Sequence, residues 1–230
     1  MSNNDKNFAS YLDFACHGAD TTQQDIEQLC HKVLNYEFNS AYVNPCYIRE
    51  AKNIVRDQSN VGTVVSFPLG QDIFSIKVTA TKEALLAGAD ELDVVLNIGY
   101  IKEHLWEKCY EEMKILVKTI KDFDSTRIVK FIPETGYLTS DEIKKIAELM
   151  VKSGADFFKT CSGYGPRGAT LQDVHLIRAA VGDAIKIKVA GGIFTYEQAA
   201  DFIQAGVNRI GTSHAVEIIE GYQLSNKKLL

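Results

Sequence analysis

The sequence has no Cys-x-x-Cys pair, no apolar stretch near the roughly 20 residues needed to span a bilayer, and no basic stripe. Its five cysteines are scattered and odd in number, which argues against a disulfide framework or a structural zinc site. Free thiols favour a reducing, cytoplasmic compartment. A net charge of -5 offers no electrostatic footprint for nucleic acid. Neither a membrane nor a nucleic acid is therefore an expected partner.

Targeting and metal-binding signals are also lacking. Residues 1–7 are polar and include Asp5, unlike a secretory signal, which needs an apolar run behind positive charge. The histidines show no spacing typical of metal ligands; they are His17, His31, His104, His175 and His214. No metal site is therefore expected.

What the chain does contain is a repeated pattern of short apolar, β-branched runs, each followed by a helical pattern. Strands are predicted at 11–15, 40–43, 61–67, 91–97, 127–132, 155–160, 185–190 and 207–211. Eight β-then-α units in 230 residues, without a linker, predict a single-domain α/β protein over residues 1–230. Its expected architecture is a closed (β/α)8 TIM barrel. An open parallel sheet is the alternative that periodicity alone does not exclude.

The helices carry start and stop signals. Glycines are expected to end three of them, at Gly88, Gly154 and Gly206. Helices are predicted at 46–57, 75–87, 102–122 and 171–181, from 213 onward, and behind N-caps at Thr21 or Thr22, Thr139 or Ser140, and Thr195.

Charged residues interrupt four consecutive apolar strands. They are Asp93, Lys130, Lys159 and Lys188. Active sites of such barrels lie at the carboxyl ends of the strands, so we expect these four side chains to meet there. Alternatively, each charge is solvated or paired on the outside of the barrel, as is usual for a lone lysine. Convergence of three lysines and one aspartate is harder to explain by solubility.

Such a cluster has coherent chemistry. An ordinary lysine is protonated at neutral pH and cannot attack a carbonyl. A second ammonium nearby, or desolvation, lowers its pKa and frees the amine as a nucleophile. The resulting iminium accepts electrons from a breaking carbon–carbon bond, and an aspartate can move protons. The cluster therefore favours a Schiff-base enzyme.

Glycines follow the last three strands. The segments are Ser162-Gly163-Tyr164-Gly165, Gly191-Gly192 and Gly211-Thr212-Ser213. Loops after strands seven and eight form the usual phosphate site of these barrels, and glycine lets backbone N–H groups approach an anion. Each glycine alone is equally consistent with a simple turn. Together they favour a phosphorylated ligand.

From about Thr21 onward the sequence resembles the deoxyribose-phosphate aldolase family. The resemblance rests on Tyr42-Val43-Asn44-Pro45, Ser66-Phe67-Pro68-Leu69-Gly70, Glu91-Leu92-Asp93-Val94-Val95-Leu96-Asn97-Ile98-Gly99, Pro133-Glu134-Thr135, Gly154-Ala155-Asp156-Phe157-Phe158-Lys159-Thr160, Lys188-Val189-Ala190-Gly191-Gly192-Ile193 and Arg209-Ile210-Gly211-Thr212-Ser213. It implies a single barrel without metal or organic cofactor. The implied reaction is reversible cleavage of 2-deoxy-D-ribose 5-phosphate into D-glyceraldehyde 3-phosphate and acetaldehyde.

The resemblance also implies roles for individual residues. Lys159 becomes the Schiff-base lysine, Lys188 the lysine that perturbs its pKa, and Asp93 the proton-relay acid. Substrate or phosphate binding is implied for Asp13, Gly163, Gly191, Gly192, Thr212 and Ser213. Lys130 and Arg167 are two further candidates from the residue patterns.

Three residues depart from the family pattern. Ala15 stands where the first-strand Asp-x-Thr has threonine, Tyr42 replaces a frequent cysteine, and Phe194 stands where arginine is common. We expect Tyr42 to narrow the mouth, and a loop arginine appears elsewhere, at Arg167. These departures bear on the substrate more than on the imine chemistry.

Three alternatives to that enzyme remain. The first is a sister Schiff-base aldolase for another short aldehyde or sugar phosphate, and the second a noncatalytic phosphosugar-binding barrel. The third, a metal-dependent aldolase, is disfavoured by the histidine spacing. A homodimer is expected only by analogy with other barrels.

Overall fold

The computed structural model describes residues 8–227, with side chains through residue 225. Eight parallel strands close into one barrel, in which β1 pairs with both β2 and β8. The strands are β1 Leu12–Cys16, β2 Ser40–Val43, β3 Asn60–Val65, β4 Glu91–Val95, β5 Ile128–Ile132, β6 Phe157–Lys159, β7 Lys186–Ala190 and β8 Arg209–Thr212. The predicted closed barrel is confirmed, and the open-sheet alternative is wrong. The expectation for residues 1–7 lies outside the described residues.

A helix follows each strand, and β4 is followed by two. The helices are α1 Gln23–Tyr36, α2 Ile48–Val55, α3 Phe74–Ala87, α4 Ile98–Lys102, α5 Trp106–Phe123, α6 Ser140–Ser153, α7 Leu171–Val181, α8 Tyr196–Gln204 and α9 Ala215–Lys227. Thr22, Thr139 and Thr195 each cap a helix through a reciprocal capping box, as the sequence predicts. Within residues 8–227, no helix is both long and apolar enough to cross a membrane.

The predicted helix at 102–122 is wrong at its start. Asn97 instead caps the short helix α4, which ends at Lys102. His104 then takes a left-handed backbone conformation with φ of 56°, and α5 begins two residues later. A single left-handed residue interrupts the helix without disturbing the apolar periodicity, so the pattern predicted one continuous helix.

The alternation of side chains along each strand separates the apolar layer between sheet and helices from the charged lumen of the barrel. On β4, Leu92 and Val94 pack in the apolar layer between sheet and helices. Asp93 points the opposite way, into the lumen, where it contacts lysines of three other strands. Because successive strand residues face opposite sides, one strand supplies both the apolar layer and the charged lumen.

A buried ion pair fixes the helices outside β4. Lys77 on α3 is 1% exposed, and its Nζ lies 2.7 Å from Glu112 Oε1 on α5 and 2.9 Å from the carbonyl oxygen of Val95. Burial raises the pKa of Glu112, although Lys77 opposes that shift. Lys77 therefore ties two helices to the carboxyl end of the strand that carries Asp93.

Lys77→Met is expected to destabilise the protein by about 3–5 kcal/mol at neutral pH, because it leaves Glu112 buried without its cation. Urea unfolding measures the loss. It should shrink as the pH falls, since the raised pKa of Glu112 allows that carboxyl to become neutral. The double variant Lys77→Met/Glu112→Leu is the control and should recover most of the stability. A double variant as unstable as the single one would contradict the charge explanation.

Candidate active site

The Asp93 carboxylate is the meeting point of three lysines. Its Oδ2 lies 2.8 Å from Lys159 Nζ on β6 and 2.9 Å from Lys188 Nζ on β7. Its Oδ1 lies 3.3 Å from Lys130 Nζ on β5. The structure thus brings together all four charged residues predicted from the strand pattern. The outward alternative does not apply to Lys188, whose side chain is 1% exposed.

Charge and burial set the protonation of this cluster. Burial alone would raise the pKa of Asp93, but Lys159, Lys188 and Lys130 outweigh it and hold that pKa well below its usual range. For Lys159, burial lowers the pKa below its ordinary value of 10.5; the Asp93 charge opposes this shift, and Lys188 and Lys130 add to it. Asp93 is therefore ionised, and Lys159 loses its proton more easily than an ordinary lysine.

Asp13 lies deeper than its expected role requires. Its Oδ2 is 2.7 Å from Lys188 Nζ, and its Oδ1 accepts hydrogen bonds from Asn39 and Ser40. The side chain is fully buried and does not line the cavity described below. A substrate contact at Asp13 is therefore not supported by its position, because Asp13 is near the start of β1. It pairs with Lys188 instead.

Tyr42 and Glu91 complete the lumen. Tyr42 is 1% exposed, and its hydroxyl lies 2.9 Å from Asp93 Oδ1 and 3.0 Å from Glu91 Oε2. Lys130 donates to both Glu91 and the Tyr42 hydroxyl. Tyr42 therefore fills the lumen between the charged pairs and also lines the cavity described below, so that its narrowing of the mouth stays a prediction. The alternation Glu91, Asp93, Val95 is a signal that would have placed Glu91 inside, but sequence reasoning missed it.

A cavity of about 310 Å³ opens above Lys159 and Lys188. The loops after β1, β6, β7 and β8 surround it, and its lining includes all five residues that the sequence predicts to bind phosphate. These are Gly163, Gly191, Gly192, Thr212 and Ser213. Lys130, like Asp13, belongs to the deeper lumen and is not part of this lining.

Close backbone packing holds two of these loops together. A Cβ atom added at Gly168 would lie 2.2 Å from the Gly191 carbonyl oxygen, and Gly191 itself has φ of +81°. Thr212 joins a third loop, because its Oγ1 donates to the carbonyl oxygen of Ile193 at 2.8 Å and accepts from His214 N at 3.0 Å. Thr212 thus shapes the cavity wall, while glycines bring the backbone close to its interior.

Arg167 does not reach the cavity. Its guanidinium binds both carboxylate oxygens of Asp173, at 2.6 and 2.9 Å, and the carbonyl oxygen of Thr135 at 3.1 Å. Asp173, at the first turn of α7, is 2% exposed. This carboxylate makes a better partner for the fork-shaped guanidinium than solvent does. The candidate role of Arg167 as a ligand-binding arginine is therefore not supported by its position.

Aromatic and neutral groups form the rest of the cavity wall. His17, which the sequence analysis considered only as a metal ligand, lines the cavity. Burial lowers its pKa to about 3, and Lys159 and Lys188 add to that shift, so the imidazole is neutral at physiological pH. Phe194 is half exposed at the rim, with its ring 4.9 Å from the His214 ring. Ala15 also lines the wall and adds no hydroxyl.

The amine of Lys159 is expected to titrate below a free lysine side chain. Trace labelling with acetic anhydride over a pH series, followed by peptide mapping, measures this against Nα-acetyl-lysine amide. In Lys188→Met the Lys159 curve should move to higher pH, because one ammonium is lost and Asp93 is left to Lys159. Lys188→Arg, which keeps the charge, is the control. A Lys159 curve unchanged in Lys188→Met would contradict the electrostatic coupling.

Residues 9–214 match the model of the DeoC/LacD family aldolase. A deoxyribose-phosphate aldolase of Thermococcus kodakarensis is 42% identical, covering 95% of this chain and 98% of its own. One from Caldicellulosiruptor saccharolyticus is 41% identical over 93% of this chain and 97% of its own. Among solved structures, "QR15, an Aldolase" has a TM-score of 0.91 at 35% identity, with 98% and 100% of the two chains covered. A tetrameric deoxyribose phosphate aldolase from Aeropyrum pernix has a TM-score of 0.86 at 28% identity, with 97% and 92% covered.

Proposed function

The chain belongs to the DeoC/LacD family of aldolases, and from that premise we propose that it cleaves 2-deoxy-D-ribose 5-phosphate reversibly through a Schiff base on Lys159. The observation that carries the proposal is the position of Lys159. Its amine lies at the floor of the cavity, 2.8 Å from the Asp93 carboxylate. A buried amine with a lowered pKa and an adjoining acid–base group is what imine catalysis requires.

In the first step, neutral Lys159 attacks the aldehyde carbon of the open-chain sugar. The carbinolamine loses water and leaves an iminium. Lys188 favours the neutral form of Lys159, since its ammonium lowers the pKa of that amine. Asp93, within 2.9 Å of both amines, can accept a proton from one lysine and return it to the other.

In the second step the carbon–carbon bond breaks. The C3 hydroxyl gives up its proton, and the C2–C3 electron pair moves to the iminium, which releases D-glyceraldehyde 3-phosphate and leaves an enamine. Protonation at C2 and hydrolysis then release acetaldehyde and free Lys159. We assign the proton transfers to Asp93 and Lys188, because burial excludes bulk water from both side chains.

The phosphate end is assigned to the glycine loops across the cavity. Gly163, Gly191, Gly192 and Ser213 lie on loops after β6, β7 and β8, where barrels of this type bind phosphate. Gly191 and Gly192 both have positive φ, of 81° and 77°. That conformation favours glycine and supports close approach of the backbone to an anion.

Borohydride reduction in the presence of 2-deoxy-D-ribose 5-phosphate or acetaldehyde is expected to leave a stable adduct on the Lys159 peptide. Mass spectrometry after proteolysis locates the adduct. Lys159→Met should abolish both adduct and turnover, because Lys188, the other lysine of the cavity lining, is held by Asp13 and Asp93. Lys130→Arg, which keeps a buried cation away from the cavity, is the matched control and should keep the adduct. Turnover in wild type without an adduct at Lys159 would contradict the proposed mechanism.

A second candidate function, cleavage or synthesis with a less anionic aldehyde, is favoured by one observation. Among the described residues that line the cavity, none is arginine, and Phe194 occupies the rim. Sugar-phosphate recognition commonly uses the bidentate guanidinium. An enzyme without such an arginine binds phosphate through glycine backbone and hydroxyl groups. It therefore discriminates less strongly between phosphorylated and unphosphorylated substrates.

Phe194→Arg is expected to lower the KM for 2-deoxy-D-ribose 5-phosphate by roughly tenfold, the effect of one charge-assisted hydrogen bond. The KM for unphosphorylated 2-deoxy-D-ribose should stay unchanged, because that sugar offers no anion at the rim. Phe194→Leu controls for loss of the ring. If both substrates respond equally to Phe194→Arg, the rim does not select phosphate.

Two properties stay predictions from the sequence. A cytoplasmic location is supported by five free cysteines, and a homodimer by analogy alone. Noncatalytic phosphosugar binding, the remaining alternative, is disfavoured because a pure binder needs no desolvated amine beside an ionised acid. Turnover lost in Lys159→Met would dismiss it.

A further inference from the structure

Tyr42 bridges strands that are not neighbours. It lies on β2 and pairs in register with Gly62 on β3. A Cβ atom on Gly62 would lie 2.2 Å from Cζ of the Tyr42 ring. Because Gly62 has no side chain, the Tyr42 ring can cross β3 at this position. Its hydroxyl then reaches Asp93 on β4 at 2.9 Å.

The Tyr42 hydroxyl has one proton, and its surroundings direct that proton toward a carboxylate. Lys130 donates to the phenol oxygen, so the hydroxyl acts as the donor toward Asp93 Oδ1 or Glu91 Oε2. Burial raises the pKa of Tyr42 well above 10.0, and the charges of Asp93 and Glu91 raise it further. Tyr42 is therefore a permanent neutral donor in this network.

This arrangement gives the two oxygens of Asp93 separate partners. Oδ1 faces Tyr42 and Lys130, whereas Oδ2 faces Lys159 and Lys188. Lys188 Nζ also lies 3.4 Å from the centroid of the Tyr42 ring, a cation–π distance. Tyr42 thus touches two of the three groups to which the chemistry is assigned.

We propose that Tyr42 is a positioning residue for the aldol reaction, which holds Asp93 Oδ1 so that Oδ2 faces Lys159 and Lys188. The proposal rests on the proposed function of Lys159 and deepens it. It also gives a reason for the departure at this position. A cysteine there would not span β3 to Asp93, so this chain holds its acid by a contact that the more frequent residue cannot make.

Tyr42→Phe removes only the hydroxyl, because the ring, its fit over Gly62 and its contact with Lys188 remain. The expected result is a kcat reduced by roughly tenfold or more with KM nearly unchanged, the cost of one lost hydrogen bond to a buried charge. Without that bond Asp93 keeps more negative charge toward Lys159. The pH profile of Lys159 labelling should therefore move to higher pH.

Tyr47→Phe is the matched control, because Tyr47 donates to the carbonyl oxygen of Thr21 at 2.7 Å outside the lumen. It should leave kcat and the pH profile of Lys159 at their wild-type values. A 3-fluorotyrosine placed at position 42 keeps the shape and strengthens the donor, so it should move the profile to lower pH. This isosteric variant decides the question even if Tyr42→Phe folds poorly.

The outcomes separate this inference from the proposed function. Absence of a Lys159 adduct in wild type overturns the proposed function, whatever Tyr42 does. If wild type forms the adduct, wild-type kinetics in Tyr42→Phe overturn the positioning role. So does a lower kcat with an unmoved pH profile in both Tyr42 variants, since that pattern reflects structure alone. Opposite pH shifts in the two variants would establish it.

Discussion

The interaction on which the site depends is the ionised Asp93 carboxylate surrounded by the amines of three lysines. Lys130, Lys159 and Lys188 face it from β5, β6 and β7. Burying even one unpaired charge costs several kcal/mol. The lumen avoids that cost by near balance, because Asp13 and Glu91 add two further carboxylates to the same network. Removing any one of these charges leaves its partners uncompensated.

The near balance of lysine and carboxylate charges explains how Lys159 can be a weak base although two other lysines lie beside it. Asp93 is shared with Lys188, so its charge does not fully stabilise the ammonium of Lys159, and burial then lowers the pKa of that amine. Asp13 holds Lys188 from below. Lys130 is the opposite case: burial would lower its pKa, but Glu91, Asp93 and Asp13 outweigh it and raise that pKa. Neighbouring lysines on one barrel wall thus have opposite shifts because their shares of carboxylate differ.

Much of this could be predicted from the sequence, since period-two alternation fixes which strand residues enter the lumen. Asp93, Lys159 and Lys188 were found in that way, and the same rule applied to Glu91 would have found it. The pattern does not indicate how deep in the barrel a side chain lies. Asp13 was expected at the ligand, yet it is the second residue of β1 and lies below Lys188. Loop residues are harder still: Arg167 turns to Asp173, a pairing that no local pattern encodes.

Tyr42 shows how a departure from a family pattern is absorbed by the fold. A ring at this position needs space across the neighbouring strand, and Gly62 provides it directly in register. The Tyr42 ring also covers the Lys188 ammonium. The larger side chain therefore adds contacts to the charged network and does not obstruct it. Tyr42 lies at the base of the cavity lining, so its hydroxyl holds Asp93 while the cavity above Lys159 stays open. The loops then bind the substrate, and the residues of the lumen carry out the chemistry. Substitutions in the two regions should therefore have separable effects on KM and kcat.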